Sequence, residues 1–136
     1  MRKAAIDVAA GCIRSGDRFL LCQRPPHMNG GGQWEFPGGK LEPGETAAQA
    51  LERELMEELR IRVRTSGQIA ETEYAYPGFT IHLMLLAAEI ERGAPELIEH
   101  TALRWVTAEE AQGMELCPAD RILLDRITED RDGITE

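Results

Sequence analysis

The chain has 136 residues, of which 43% are hydrophobic and 29% are charged, a composition typical of a globular protein with one domain. Acidic residues outnumber basic residues by 24 to 15, which gives a net charge of −9. This charge argues against a nucleic-acid polymer or an anionic membrane as partner, because either would be repelled. It does not exclude a small phosphorylated substrate, provided that a metal cation lies between the two sets of negative charges.

The cysteines and the apolar segments indicate the compartment. Cys12, Cys22 and Cys117 form no CxxC pair, and the first two lie in apolar, strand-like runs. Small buried side chains in a reducing compartment account for them. The amino terminus has no long apolar stretch typical of a signal peptide, and the longest apolar run, residues 83–88, is too short to span a bilayer. We therefore expect a cytoplasmic protein.

The first third of the chain predicts short strands and one long loop. The predicted strands are residues 4–13, 19–23 and 34–36, and a turn at residues 15–17 joins the first two into a hairpin. Residues 24–34 are rich in proline and glycine. An irregular stretch of that length in a compact domain is more often functional than idle.

The rest of the chain predicts one long helix, a hairpin and two shorter helices. The long helix begins near Thr46 and ends near Arg60, and Thr46 and Gln49 have the spacing of a capping box. The further strands are residues 61–64, 68–76, 79–90 and 102–106, and the further helices are residues 107–112 and 118–128. Strands mixed with helices and hairpin turns predict a single α/β domain with a mixed sheet over residues 1–130, followed by a polar tail at 131–136.

Three glutamates lie on the leucine side of the long helix. At about 100° per residue the three leucines of the helix form one stripe, with Glu58 inside it and Glu54 and Glu57 beside it. A solvated acidic face would instead lie opposite the leucines. Carboxylates at this spacing repel one another, and Arg53 alone supplies too little positive charge. A divalent cation with oxygen ligands would neutralise them, and Gly38-Gly39 before the helix lets the backbone approach such a ligand.

These residues resemble the Nudix box, a signature written G-x5-E-x7-R-E-U-x-E-E-x-G-U, in which U is a bulky aliphatic residue. Residues 39–61 match every fixed position except one, where Arg60 stands in place of glycine. Weaker similarity to the MutT-like branch of the family extends over nearly all the chain, notably at residues 34–40 and 104–105. The resemblance implies a Nudix-type α/β/α sandwich with a mixed sheet.

Arg60 is the one departure from the signature, and it falls at the end of the long helix. Glycine is favoured there because the backbone can become left-handed. Either arginine adopts that conformation at a cost of about 1 kcal/mol, or the helix ends differently. Because the position is not one of the acidic ones, we expect stability rather than chemistry to be affected.

The resemblance implies a hydrolase of nucleoside diphosphates linked to another group, with Mg²⁺ or Mn²⁺ as cofactor. Carried over position by position, it implies that the Gly39 carbonyl, Glu54, Glu57 and Glu58 are metal ligands. It also implies that Arg53 orients Glu54. Glu54 is the first candidate for the general base.

Glu99 is the second candidate for the general base and a further candidate metal ligand. It lies six residues before Trp105, where MutT-like proteins carry a loop glutamate that reaches the metal. An exposed loop acid is the alternative, and Glu96 is a nearby rival. We expect the adjacent His100 to be a surface histidine rather than a ligand.

The MutT-like branch converts nucleoside triphosphates to the monophosphate and pyrophosphate, and four residues are candidates to hold such a substrate. Arg24 and Lys40 are candidates for phosphate contacts, and Tyr76 for stacking on the base. Asp120 occupies the position where oxidised-guanine hydrolases typically carry an asparagine that reads the base, although an acid there also suits the helix dipole. A carboxylate only accepts hydrogen bonds, which suits the amine of cytosine or the amine and N–H groups of 8-oxoguanine.

The resemblance thus leaves 8-oxo-dGTP and cytosine nucleotides open as substrates. One alternative is hydrolysis of ADP-ribose or a dinucleoside polyphosphate. Another is a non-catalytic Nudix domain that binds a nucleotide as a regulator, although such domains usually lose acids of the box and none is lost here. The expected partner is a small nucleotide, with no nucleic-acid polymer and no membrane, and the protein is expected to be a monomer or a homodimer.

Overall fold

A computed structural model describes residues 5–135 of the chain, with side chains through Glu129. The elements in chain order are β1 (Ile6–Ser15), β2 (Arg18–Gln23), β3 (Trp34–Glu35), β4 (Gly38–Lys40), α1 (Ala47–Leu59), β5 (Arg62–Tyr76), β6 (Phe79–Arg92), β7 (Ala102–Val106), α2 (Ala108–Gln112) and α3 (Pro118–Thr135). The predicted α/β fold is confirmed, and within the described part of the chain no helix has the length and apolar character needed to cross a membrane.

The sheet is mixed, as predicted, and β1 connects its parts. β1 runs parallel to β6, pairs antiparallel with β4 near its start and pairs antiparallel with β2 at its end. β5 and β6 form a long antiparallel hairpin, and β2 also pairs antiparallel with β3 and β7. On β6, His82 bonds through its two ring nitrogens to Asp7 of β1 at 3.0 Å and to Glu71 of β5 at 2.7 Å.

The core has two parts, one on each face of the sheet. Side chains alternate between faces along a strand, so Leu83 and Leu85 of β6 lie in the part that packs under α3, and Leu86 lies in the part that packs under α1. The three leucines of α1 are fully buried, and burial of each contributes roughly 1.5–3 kcal/mol. The sheet therefore separates α1 from α3, which is the expected α/β/α sandwich.

The ends of α1 follow from local sequence. The Thr46 hydroxyl accepts from the Gln49 N–H at 3.1 Å, and the Gln49 side chain accepts from the Thr46 N–H at 2.9 Å, which is the predicted capping box. At the other end Arg60 has φ 58° and ψ 35°, and its N–H donates to the Met56 carbonyl. Of the two alternatives for this position, the structure therefore has arginine in the left-handed conformation, at a cost of about 1 kcal/mol.

Three predicted boundaries are wrong. Residues 62–76 form the single strand β5 rather than two strands. Its pairing with β6 shifts register on either side of Gly67, and the strand continues through these two irregularities. No strand was predicted at residues 38–40, but they pair with β1 as β4. Helix α3 continues to Thr135 instead of ending at residue 128, because no proline interrupts its polar end. The domain boundary at residue 130 stays a prediction, and Glu136 lies outside the described residues.

The three cysteines are free and buried, as predicted for Cys12 and Cys22. Burial raises the pKa of each thiol, and for Cys117 the value rises to about 12. These side chains therefore remain neutral thiols and pack as small apolar groups.

Candidate active site

A cavity of about 760 Å³ opens where the start of β1, the short strand β4, one face of α1 and the start of α3 meet. Its volume is within the range of small-molecule sites. The predicted site residues that line it are Gly39, Glu54, Glu58, Glu99, Arg24, Lys40, Tyr76 and Asp120. Arg53 and Glu57 are not among the lining residues. The polar lining falls into two groups, one on α1 and β4 and the other on β3 and α3.

Arg53 joins α1 to the segment that precedes it. Its guanidinium donates to both carboxylate oxygens of Glu45, at 2.8 and 2.9 Å, and to the Lys40 carbonyl at 3.0 Å. It also donates to Glu54 Oε1 at 2.8 Å. Arg53 lowers the pKa of the Glu45 carboxyl to about 2. These contacts hold the Glu54 side chain in one orientation, which is the arrangement that the predicted role of Arg53 requires.

Gly39 is in close contact with Glu54. A side chain at position 39 would overlap the Glu54 carboxylate, so only glycine lets β4 lie against this acid. Lys40, the next residue of β4, is exposed and lines the same part of the cavity. Gly39 thus permits a close approach between the backbone and the Glu54 carboxylate, and its predicted approach to a cation stays a prediction.

Glu58 carries the strongest indication of a cation. Its Oε2 is buried and has no hydrogen-bond partner among the described residues. Burial raises the pKa of Glu58 to about 9, with further contributions from the charges of Glu54, Glu99 and Glu35. A buried carboxyl with an unpaired oxygen that faces other carboxylates fits a hard divalent cation with oxygen ligands. The donor set therefore suits Mg²⁺ or Mn²⁺.

Glu57 differs from the other predicted ligands. Its side chain is 59% exposed, and Oε2 lies 3.4 Å from Nη1 of Arg53. The side chain therefore lies outside the cavity, beside the arginine that holds Glu54, and its role as a ligand stays a prediction.

The loop before β7 supplies Glu99. Its side chain is exposed and lines the cavity, whereas its rival Glu96 does not line it and donates its backbone N–H to the Leu59 carbonyl at 3.0 Å. The prediction that His100 is a surface histidine is wrong. Its side chain is only 6% exposed, and Nε2 lies 3.1 Å from Oε2 of Glu35. His100 lies in a polar loop sequence, and the contact that buries it comes from a distant part of the chain.

The second polar group surrounds Glu35, which the sequence analysis missed. Arg24 donates from Nη1 to Glu35 Oε1 at 2.9 Å and from Nε to the Asn29 carbonyl at 2.7 Å. Asp120 accepts from the Phe36 N–H at 2.9 Å. Burial raises the pKa of Asp120 well above its usual value, and the charge of Glu35 adds to the effect. An acid between two aromatic residues in an extended segment was the available signal for Glu35.

This second group is less suited to Mg²⁺ than the first. Glu35, Cys117 and Asp120 bring one potential ligand atom each within 4.8 Å of one another. However, the Arg24 guanidinium already compensates Glu35, and the Cys117 thiol, with its raised pKa of about 12, is not a ligand for a hard cation. The carboxylates at Glu54 and Glu58 are the better cation site.

Aromatic side chains form one wall of the cavity. The Tyr76 ring stacks on Phe79 with centroids 5.3 Å apart and contacts Tyr74 at 4.7 Å. The Tyr76 hydroxyl accepts from the Ala119 N–H at 3.4 Å, which ties the hairpin to the start of α3. Phe79, a residue that the sequence analysis missed, is 37% exposed and lines the cavity. This wall offers a flat aromatic surface to a planar ligand.

Comparison with known proteins identifies the family whose signature the residues of α1 resemble. The profile of the NUDIX domain matches residues 5–127. The chain is 41% identical over 120 residues to the CTP pyrophosphohydrolase of Escherichia coli, covering 88% of this chain and 89% of that protein. It is 33% identical over 128 residues to the 8-oxo-dGTP diphosphatase of Haemophilus influenzae, covering 93% and 94%.

The fold is also shared with solved structures. The solution structure of the Escherichia coli ORF135 protein has a TM-score of 0.81 and 40% identity, with 93% of this chain and 91% of that chain covered. The similarity thus extends well beyond the segment that carries the acidic signature.

Proposed function

The chain belongs to the NUDIX family, and we propose that it is a metal-dependent pyrophosphohydrolase that converts nucleoside triphosphates to the monophosphate and pyrophosphate. This proposal rests on one observation, namely that two groups of residues line the same cavity. Carboxylates suited to a divalent cation lie on α1, and a flat aromatic wall with a buried acid lies beside the start of α3. The activities for which the two bacterial relatives are named support the same reaction class.

We propose that the Gly39 carbonyl, Glu54, Glu57, Glu58 and Glu99 hold Mg²⁺ or Mn²⁺. A bound divalent cation would neutralise the polyphosphate and lower the pKa of an attacking water molecule. The unpaired buried oxygen of Glu58 and the close approach of Gly39 to Glu54 support this assignment.

Glu54 is the first candidate for the general base. Its orientation is fixed by the 2.8 Å bond from Arg53, so the carboxylate is held ready to accept a proton from water. Glu99 is the second candidate, because it lines the cavity from the opposite loop. Lys40 and Arg24 supply positive charge for the phosphates, although Arg24 must share its guanidinium with Glu35.

The base is proposed to lie between the aromatic wall and Asp120. Tyr76 and Phe79 provide the stacking surface, and the buried Asp120 provides hydrogen bonds. The raised pKa of Asp120 favours its neutral form, which donates one hydrogen bond as well as accepting. Asp120 therefore matches a wider set of bases than a carboxylate would, and both 8-oxo-dGTP and cytosine nucleotides remain proposed substrates.

A panel of substrates tests the proposal. Values of kcat/KM are measured for 8-oxo-dGTP, 5-methyl-dCTP, CTP and ADP-ribose with Mg²⁺ and with Mn²⁺, and products are identified by chromatography. Monophosphate and pyrophosphate from a triphosphate are expected, with loss of activity in Glu54→Gln and Glu57→Gln. A strong preference for ADP-ribose or a dinucleoside polyphosphate would refute the triphosphate assignment. Saturable binding of a nucleotide without release of pyrophosphate or phosphate would instead indicate a regulatory domain.

Cytoplasmic location and assembly are also proposals. The free, buried thiols of the described chain support a reducing compartment, for which we propose the cytoplasm. The expectation of a monomer or a homodimer stays a prediction, which the mass of the protein in solution would test.

A further inference from the structure

We propose that His100 is a positioning residue that holds Glu99 at the acidic end of the cavity by anchoring the loop before β7. This inference rests on the proposed function, since Glu99 is there assigned to the cation. It assigns a role to a histidine that lines the cavity and whose side chain is 6% exposed.

The loop between β6 and β7 has no regular structure of its own, and it is fixed at two backbone points. The Glu96 N–H donates to the Leu59 carbonyl at the end of α1, at 3.0 Å, and the Thr101 N–H donates to the Gln23 carbonyl at the end of β2, also at 3.0 Å. Between these points Leu97 and Ile98 are 55% and 47% exposed. The backbone bonds alone therefore leave the middle of the loop without support.

His100 supplies that support from the residue next to Glu99. It is the only residue from 96 to 101 that is not exposed, and its Nε2 lies 3.1 Å from Oε2 of Glu35. Because a carboxylate only accepts hydrogen bonds, Nε2 carries the hydrogen. Nδ1 is buried without a partner among the described residues, so the histidine is held through one nitrogen only.

The partner of His100 is itself fixed. Glu35 lies on β3, which pairs with β2, and its other oxygen accepts from Arg24 at 2.9 Å. The imidazole is therefore attached to the sheet through a side chain whose two oxygens are both bonded. The adjacent Glu99 side chain, in contrast, has no hydrogen bond to a described residue and lines the cavity. A rigid anchor beside an unbonded carboxylate is the arrangement expected for a ligand presented in advance to a cation.

A role in loop stability alone is the alternative, and a double-mutant cycle separates the two. The variants are His100→Asn, whose shorter side chain falls short of Glu35, His100→Gln, which retains a donor near Nε2, Glu99→Gln and the double variant His100→Asn with Glu99→Gln. Glu96→Gln is the control, because it removes a loop charge that does not line the cavity. Mn²⁺ binding is followed by the electron paramagnetic resonance signal of the free ion, which does not depend on turnover. The Tm in EDTA reports folding.

We expect Glu99→Gln and His100→Asn each to weaken Mn²⁺ binding by about tenfold, as removal of a partner that orients a ligand typically does. The double variant is expected to bind as weakly as Glu99→Gln alone, since the histidine acts only through the glutamate. His100→Gln restores most of the affinity, and Glu96→Gln binds Mn²⁺ like the unmodified protein.

Three results would overturn the inference. These are unchanged Mn²⁺ affinity in His100→Asn, unchanged affinity in Glu99→Gln, or losses that simply add in the double variant. Each can occur while the unmodified protein still hydrolyses a triphosphate, in which case the proposed function stands and only the role of His100 fails. Absence of Mn²⁺ binding and of hydrolysis in the unmodified protein would instead refute both.

Discussion

Replacing Glu58 by glutamine is expected to stabilise the metal-free protein while it removes the cation site. The pKa of this carboxyl rises from its usual 4.5 to about 9, because burial and then the neighbouring carboxylates disfavour the charged form. A raised pKa contributes stability that is present below the unfolded value and is lost as the pH rises through the folded one. The folded, metal-free protein is therefore progressively destabilised between about pH 4.5 and about pH 9.

The size of the effect at pH 7 follows from the same values. In the unfolded chain the carboxyl has a pKa of about 4.5 and is ionised at pH 7, whereas in the fold it stays protonated. The protein therefore holds this proton at a pH about 2.5 units above the unfolded pKa, which costs free energy. At 1.36 kcal/mol per unit this amounts to roughly 3 kcal/mol. It is an upper value, because Glu58 is not fully buried and water reduces the penalty. Glutamine has the same shape and does not ionise, so the variant lacks this penalty.

The assay is chemical denaturation in EDTA at several pH values. We expect the free energy of unfolding of Glu58→Gln to exceed that of the unmodified protein by little near pH 5 and by a few kcal/mol near pH 8. Added Mn²⁺ is expected to stabilise the unmodified protein but not the variant. Glu57→Gln is the matched control, with the same charge change at a side chain that is 59% exposed, and should leave metal-free stability nearly unchanged. A gain from Glu58→Gln that did not vary with pH would refute the reasoning.

Three further predictions concern single residues. Gly39→Ala places a methyl group against the Glu54 carboxylate, so Mn²⁺ affinity should fall by about tenfold in calorimetric titration, with an unchanged circular dichroism spectrum. Arg53→Lys cannot reproduce the forked bonds to its carboxylate partners, so kcat should fall by at least about tenfold and the Tm should fall too. The two carboxylate partners of His82 raise its pKa, so the stability that it contributes is complete below the unfolded value of 6.5 and is lost as the pH rises through the raised folded value. In urea titrations, the difference in the free energy of unfolding between His82→Gln and the unmodified protein should therefore become smaller as the pH rises.

The parts of the fold that the sequence predicted correctly depend on short-range interactions. The capping box at Thr46 joins residues three apart, and the predicted hairpin joins β5 and β6, which are adjacent along the chain. The errors involve partners far along the chain. Strand β4 exists because Gly38–Lys40 pairs with β1, and no local signal distinguishes that segment from a glycine-rich loop.

The same division applies to the site. Glu54 and Glu58 were recognised because helical periodicity alone places them on one side of α1. Glu35 and His100 were missed or misjudged because they meet across 65 residues of chain. The polar loop sequence around His100 predicted exposure, whereas the contact with β3 buries the imidazole. A sequence reveals a carboxylate cluster on one helix more readily than a cluster formed by three separate elements.

Glu35 electrostatically couples the two ends of the cavity. Burial is the main reason that the pKa values of Glu58 and Asp120 are raised, yet the charge of Glu35 contributes to both. Arg24 and His100 hold that charge in place from either side. A cation beside Glu58 would favour the ionised form of that carboxyl by opposing the effects of burial and of the neighbouring charges, including that of Glu35. On the proposed assignments, the charge of Glu35 would therefore act both on the cation site and on the residue that contacts the base.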